Sequence, residues 1–318
     1  MIRAGLVRLN GAAASVADIV RPGDNIDIET APAGSSTLAA QVPPDLPAVE
    51  VLYADDDFIA VNKPAGMTVH PAPGHPGGTL VNVLLARFPE MAAMVEPDGV
   101  VRPGIVHRLD KDTSGVMVVA RTAFARMDLS RQFKERTTEK IYLAVVRGRV
   151  AREHFSISRP IGRHPVERRR MSVNSRHGRD ALSEVFVLAR TQSGSESERL
   201  SLLAIRPLTG RTHQIRVHLA SAGHPCVGDP LYGGRAANAL IGRQALHALS
   251  LRLLHPRTGA SMRFLARLPD DFAGLLHKLG EKATDDQTRQ WLELIQARAD
   301  ASPKSAGRRP VDSLGVLR

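Results

Sequence analysis

The chain has 318 residues, room for two domains or for one large domain with appendages. Hydrophobic residues make up 43% of it, enough for a sizeable core, and no apolar run approaches the length of a membrane span. The net charge of +11 points to a polyanionic partner, and the single cysteine, Cys226, excludes an intrachain disulfide framework and makes a reducing, cytoplasmic compartment the expectation.

Residues 1–31 read as a short unit, in which VRLNG is a strand entering an Asn-Gly turn and VRPGDNIDIE holds a Pro-Gly-Asp turn before a short alternating strand. Residues 32–47, rich in Pro with Ser and Gly, read as a linker. The main body is expected over 48–280. There VLYADDDFIAVNKPAG gives two short strands around an acidic turn, HPAPGHPGGT a Pro/Gly-rich loop, and LVNVLLARF a helix. GIVHRLDKDTSGVMVVAR follows and ends in the apolar run 116–120. Residues 126–136 have helical spacing, and EKIYLAVVRG is a strand rich in β-branched and apolar residues. A basic loop or hairpin spans 159–179, followed by the strands ALSEVFVLAR and LSLLAIRPL. TGRTHQIRVHLASAG is a predicted helix that stops at Gly223. ALHALSLRLLHP and ASMRFLARLP form a closing strand pair. Residues 281–318 read as a polar tail with one helix near Trp291 and a disordered end. Strands dominate and do not alternate strictly with helices. The expected class is therefore α+β with a mainly antiparallel sheet, in preference to a doubly wound one.

Several kinds of chemistry can be weighed on this frame. PGHPGGT has neither the Lys-Ser/Thr ending of a phosphate-binding loop nor dinucleotide glycine spacing, so no nucleotide cofactor is expected. His213 and His218 stand five apart, which places them on different faces of a helix, and no Cys pair or Glu accompanies them. No metal site is expected; these histidines suit contacts to backbone carbonyls or phosphate. Asp110 and Asp112 would point the same way in an extended segment, as a glycosidase-like carboxylate pair. The alternative is a turn, for which Asp-Lys-Asp-Thr-Ser-Gly is apt loop chemistry, and this is the preferred reading for Asp112. Asp110 lies between Arg108 and Lys111, cations that would keep it ionised, and an oriented carboxylate is a nucleophile. Arg211, His213, Gln214 and Arg216 crowd the start of the predicted helix, where backbone N–H groups and arginine forks bind anions. His213 and Arg216 share a face there. Between 163 and 179 stand six arginines, Arg163, Arg168, Arg169, Arg170, Arg176 and Arg179, a density that calls for a polyanion.

These segments resemble one family. GIVHRLDKDTSGVMVVAR is similar to the signature segment of the RluA-type pseudouridine synthases, and VNKPAGMTVHP, KIYLAVVRG, PLTGRTHQIRVHLASAGHPCVGDPLYG and ALHALSLRLLHPRTGASMRFLARLPDDF resemble its other motifs, in order, over about residues 49 to 273. The resemblance implies a pseudouridine-synthase fold, with a mixed, mainly antiparallel sheet, flanking helices and a central RNA-binding cleft. It implies detachment of a uracil from its ribose, rotation, and rejoining through a ring carbon, without a cofactor. Asp110 matches the catalytic aspartate. Tyr142 matches the tyrosine that stacks on the target uracil and can shuttle a proton, and Arg216 the arginine that pairs with Asp110. Arg108 matches the residue that fills the space left by the extruded base, with His107 assisting, and Arg211 is expected on phosphate. The N-terminal unit resembles the later part of an S-four-like RNA-binding domain that lacks its opening helix. Within this reading ribosomal RNA of the large subunit is the expected substrate, tRNA the alternative, and a monomer the expected state. Two competing classes are a non-catalytic RNA-binding or ribosome-assembly protein, and a polysaccharide glycosidase. Intact Asp110, Tyr142 and Arg216 argue against the first. Aromatic poverty and the arginine-rich hairpin argue against the second.

Overall fold

A computed structural model of the chain describes residues 2, 7–15, 17–28, 48–71, 77–94, 103–191, 199–234, 240–282 and 284–301; the expected linker at 32–47 and the last residues, 302–318, lie outside them. Near the N-terminus β1 (Val7–Leu9), β2 (Ala12–Ala13) and β3 (Ile26–Ile28) form a three-stranded antiparallel sheet. Asn10 and Gly11 turn between the first two strands with φ of 51° and 80°, the left-handed conformations that an Asn-Gly hairpin turn needs.

The main body runs β4 (Glu50–Ala54), β5 (Phe58–Lys63), α1 (Leu80–Arg87), β6 (Ser114–Ala120), α2 (Ala123–Glu135), β7 (Glu139–Arg147) and β8 (His154–Ser158). It continues with β9 (Gly162–Arg163), β10 (Met171–Ser172), β11 (Leu182–Arg190), β12 (Leu200–Pro207), α3 (Gln214–Ser221), β13 (Leu246–Leu254), β14 (Ser261–Leu265), α4 (Asp270–His277) and α5 (Asp285–Ala301). Nine of these strands make one sheet in the order β4-β5-β6-β13-β7-β12-β11-β8, with β14 paired to β13. Among the described residues every pairing in it is antiparallel except β6 with β13. The fold is α+β with a mixed, mainly antiparallel sheet, as expected.

The strand β6 shows why its sequence is a continuous apolar run rather than an alternation. All of its residues are buried. Met117 and Val119 pack with Leu80 and Leu84 of α1, while Val116, Val118 and Ala120 pack with Ala125 and Leu129 of α2 on the other face. A strand covered on both faces has no solvent side to mark with polar residues. Side chains fix the helices at their starts: Thr79 and Asn82 form a reciprocal capping box on α1, and Thr122 caps α2. Gly115 lies where β6 meets β13, at φ +118°, and a Cβ there would stand 2.2 Å from the Ala248 carbonyl oxygen. Only glycine fits that approach.

One expectation needs correction. The helix predicted from Thr209 begins only at Gln214, because His213 takes a left-handed conformation (φ 55°, ψ 19°) that a helix cannot absorb. Gln214 Oε1 accepts from the Thr209 hydroxyl (2.7 Å) and the Arg211 N–H (3.0 Å), which folds residues 209–213 into a turn. A helix expected near Trp291 is present as α5, whose Trp291 and Ile295 are buried with Leu202, Phe272 and Leu276. Leu292 and Ala299 of the same helix pack against this cluster, partly buried. Replacing Trp291 with Ala should cost about 3–5 kcal/mol of stability, measured as a lowered urea midpoint, because it empties a core position.

Candidate active site

Asp110 stands in the loop that feeds β6, and the backbone of that loop is pinned from below. Lys63, fully buried at the end of β5, donates through Nζ to the carbonyls of Pro64 (2.7 Å), Met67 (2.9 Å) and Lys111 (3.0 Å). Burial pushes the Lys63 pKa down to about 7, while the three carbonyl oxygens use all the donors of an ammonium. Arg243 holds the next carbonyl, that of Asp112, at 3.1 Å and is itself paired with Asp271. The Thr113 N–H closes a turn onto the Asp110 carbonyl (3.1 Å). The segment is thus a turn and not an extended strand. Asp110 lines the central cleft and Asp112 does not, which removes the paired-carboxylate reading.

The cation beside Asp110 comes from 106 residues away. Arg216, on α3 and only 4% exposed, donates from Nη1 to Asp110 Oδ2 at 2.8 Å. Its other edge makes a two-pronged pair with Asp229, Nε to Oδ2 at 2.7 Å and Nη2 to Oδ1 at 2.9 Å. Asp229 is fully buried, and its Oδ1 also accepts the N–H groups of Leu231 and Tyr232. Burial would lower the Arg216 pKa, but hydrogen bonds and charge from Asp229 and Asp110 carry it above the ordinary arginine value. Arg108 and Lys111, the neighbours in sequence, are exposed and make no ion pair with Asp110. Asp110 itself is 21% exposed, and its Oδ1 accepts no hydrogen bond among the described residues.

Facing that oxygen at 3.9 Å is His213 Nε2. Desolvation lowers the His213 pKa, so the imidazole is neutral at pH 7. Its Nδ1 lies 2.9 Å from the Tyr232 hydroxyl, which also accepts the Met171 N–H at 2.8 Å. With the Tyr232 hydroxyl as donor in this bond, the imidazole proton sits on Nε2, toward Asp110. His218 is turned away from the cleft: its Nε2 donates to the Arg159 carbonyl and its Nδ1 accepts from Ser183, both at 3.0 Å.

Tyr142 forms part of the cleft wall from β7, opposite Ile205 of β12 and Ala248 of β13. The register of β13 shifts between Ala248 and Ser250, just where it passes Tyr142, and such a bulge re-aims the side chains around it. Desolvation and the nearby Asp110 charge raise the Tyr142 pKa, so the phenol keeps its proton at neutral pH. His107, expected to assist Arg108, lines the cleft wall. Its Nε2 accepts the Val118 N–H (2.9 Å), its ring stacks on Phe133 at 4.4 Å, and burial lowers its pKa to about 3. It is a neutral wall residue that ties the Asp110 loop to β6.

The cleft has a volume of about 520 Å³, within the range of small-molecule pockets and roomy enough for a nucleoside. Arg108, Lys134, Arg136, Lys140, Arg179 and Arg211 surround it, and Asp110 is the one carboxylate on its wall among the described residues. Arg211 Nε donates to the Asp180 carbonyl at 3.0 Å. Of the predicted hairpin arginines, Arg163, Arg168 and Arg169 are exposed outside the cleft; Arg170 pairs with Glu167 at 3.2 Å. Sequence reasoning missed Asp229, Tyr232, Lys63 and the cations between α2 and β7. The run KERTTEK was the available signal for the last of these. Among the described residues no three His, Cys, Asp or Glu side chains cluster as metal ligands would.

A family model for RNA pseudouridylate synthases matches residues 57–221, which carry Asp110, Tyr142 and Arg216. The chain belongs to this family. An uncharacterised RNA pseudouridine synthase of Bacillus subtilis is 42% identical over 278 residues, covering 87% of each chain. The ribosomal large subunit pseudouridine synthase D of Xanthomonas campestris is 42% identical over 292 residues, covering 88% of this chain and 83% of its own. Among solved structures, human RNA pseudouridylate synthase domain containing 1 superposes with a TM-score of 0.59 at 32% identity, covering 79% of this chain and 97% of the human one. The protein is therefore an RNA pseudouridine synthase, an isomerase that acts on RNA. In this pseudouridine synthase, exchange of Asp229 for Asn should slow uridine conversion about 100-fold with RNA affinity unchanged, because Arg216 loses its anchor and small misplacements at a reacting group have that effect. Single-turnover rates and filter binding on the same RNA check it.

Proposed function

We propose that this chain isomerises specific uridines of large-subunit ribosomal RNA, with Asp110 as the catalytic carboxylate. One observation carries the reading. In a cleft ringed by cations, Arg216 holds one oxygen of Asp110, and the other has no hydrogen-bond partner among the described residues. A polyanion is drawn to such a cleft, and a carboxylate with one fixed and one unengaged oxygen suits attack on an electron-poor carbon of the nucleoside. The target base must leave its stack to reach it, which favours a loop or single-stranded site. In this reading Tyr142, on the cleft wall, stacks on the extruded uracil and, as a protonated phenol, donates a hydrogen bond. Arg108, exposed at the rim, can occupy the space that the base vacates. Arg211 and the hairpin residues Arg163, Arg168, Arg169 and Arg170 supply phosphate contacts in this reading. The choice of ribosomal RNA over tRNA is supported by the relatives whose names give the large ribosomal subunit, such as those of Xanthomonas campestris and Pseudomonas aeruginosa.

Asp110→Asn should abolish conversion while leaving RNA affinity nearly unchanged, since phosphate contacts supply most of the binding. Persistent conversion would remove Asp110 from the chemistry. Mapping the uridines that stay unmodified in RNA from cells lacking the protein identifies the substrate, and loss confined to tRNA would overturn the ribosomal reading. Exchanging Arg163, Arg168, Arg169 and Arg170 for Ala should weaken binding and flatten its salt dependence, by about 0.7–0.9 in log–log slope for each phosphate that is no longer neutralised. An unchanged slope would take the hairpin off the RNA surface.

A further inference from the structure

The hairpin of β9 and β10 lies outside the main sheet, as a two-stranded sheet of its own. Its root packs in a small cluster of its own, where Met171, Val173 and Tyr232 meet Ile161, Ala181 and Val217 of α3. Val217 is the residue after Arg216. A polar connection runs in the same direction: the Met171 N–H donates to the Tyr232 hydroxyl, and that hydroxyl shares a hydrogen bond of 2.9 Å with Nδ1 of His213, whose Nε2 faces Asp110 at 3.9 Å. The Tyr232 ring has the guanidinium of Arg170, from the hairpin, 5.4 Å from its centroid and that of Arg216, from the site, at 5.2 Å. Arg170 Nε is buried and has no hydrogen-bond partner among the described residues. His213 holds a left-handed conformation rare outside glycine, the kind of strain kept where the surrounding structure fixes a side chain for a purpose.

We propose that Tyr232 is a positioning residue that links the arginine-bearing hairpin to the reaction centre, so that RNA seated on the hairpin sets the orientation and tautomer of His213 beside Asp110. The proposal rests on the reading of the hairpin as an RNA-contacting element. Its physical content is that one hydroxyl is shared between two elements. A shift of β10 moves the Met171 N–H, the hydroxyl follows it, and the imidazole loses or gains the partner that keeps its proton on Nε2. Tyr232 touches neither substrate nor reacting atoms in this scheme and acts through His213 and Arg216.

The test uses the full chain and an RNA whose uridine the unaltered protein converts. Four proteins are compared: the unaltered chain, Tyr232→Phe, the exposed triple exchange Arg163→Ala with Arg168→Ala and Arg169→Ala, and the combination. Each is read for RNA dissociation constant and for single-turnover rate at saturating protein. Tyr232→Phe keeps the ring between the two guanidinium groups and should lower the saturated rate about tenfold, the scale of one hydrogen bond removed from a buried partner, with the dissociation constant unchanged. The triple exchange should lower both affinity and saturated rate. In the combined protein the saturated rate should be no lower than in Tyr232→Phe alone, because the connection is already cut. The proposal is overturned if Tyr232→Phe alters only affinity or nothing, if the triple exchange leaves the saturated rate intact, or if the two rate effects multiply. Nitrogen NMR of His213 gives a second readout. The Nε2–H tautomer should dominate in the unaltered chain and be depleted in Tyr232→Phe, and an unchanged tautomer would equally overturn the idea. The triple exchange touches only exposed side chains and carries the rate test alone if Tyr232→Phe does not fold. Conversion by the unaltered chain reports on the proposed function, whereas only the ratios between variants report on Tyr232.

Discussion

The guanidinium of Arg216 is the point on which the site depends. It is a buried cation between two carboxylates, doubly bonded to Asp229 on one side and singly to Asp110 on the other. A buried charge is tolerated only when its partners replace the water it has lost, and Asp229 does most of that here. The residual donor, Nη1, is then free to hold Asp110 without having to provide for the arginine's own solvation. The division of labour is asymmetric: Asp229 is fully buried, while Asp110 remains open to the cleft.

The rest of the scaffold can be understood as delivering these groups to one place. Lys63 and Arg243 fasten the Asp110 turn by its carbonyls, which leaves the carboxylate itself unencumbered. The parallel seam of β6 with β13, made possible by Gly115, sets the Asp110 turn near the strand that passes Tyr142. The α3 helix is short and begins late because Gln214 folds the preceding turn back on itself, and this places His213 beside the carboxylate in a conformation no helix would allow. Half-buried His107 and buried His218 serve the architecture as neutral hydrogen-bonding groups. The charged surface lies around them, on the cleft rim and the hairpin.

Much of this was legible in the chain itself. The strands β5, β6, β7, β11, β12 and β13 announced themselves by apolar and β-branched content, α1 and α2 by their spacing, and the Asp-Lys-Asp turn by its residue types. The motifs around Asp110, Tyr142 and Arg216 carried the family. A helix near Trp291 was expected, but its docking through Trp291 and Ile295 was not, because the face that meets the core is set by the surface it packs on. The late start of α3 was obscured because a glutamine side chain, not a proline or glycine, ends the turn before it.

What the sequence by itself determined was local: which segments extend, which coil, where turns fall, and that a basic protein carries an aspartate among cations. Only the tertiary structure decided which cation matters. Arg108 and Lys111 flank Asp110 in the chain, yet their side chains stay in solvent, where charge is screened and orientation is loose. Arg216 is distant in sequence and reaches the carboxylate because sheet pairing brings α3 to the cleft, where burial makes the ion pair directional. The same holds for Asp229, Tyr232 and Lys63, whose roles arise from groups that meet only when the strands have assembled in order.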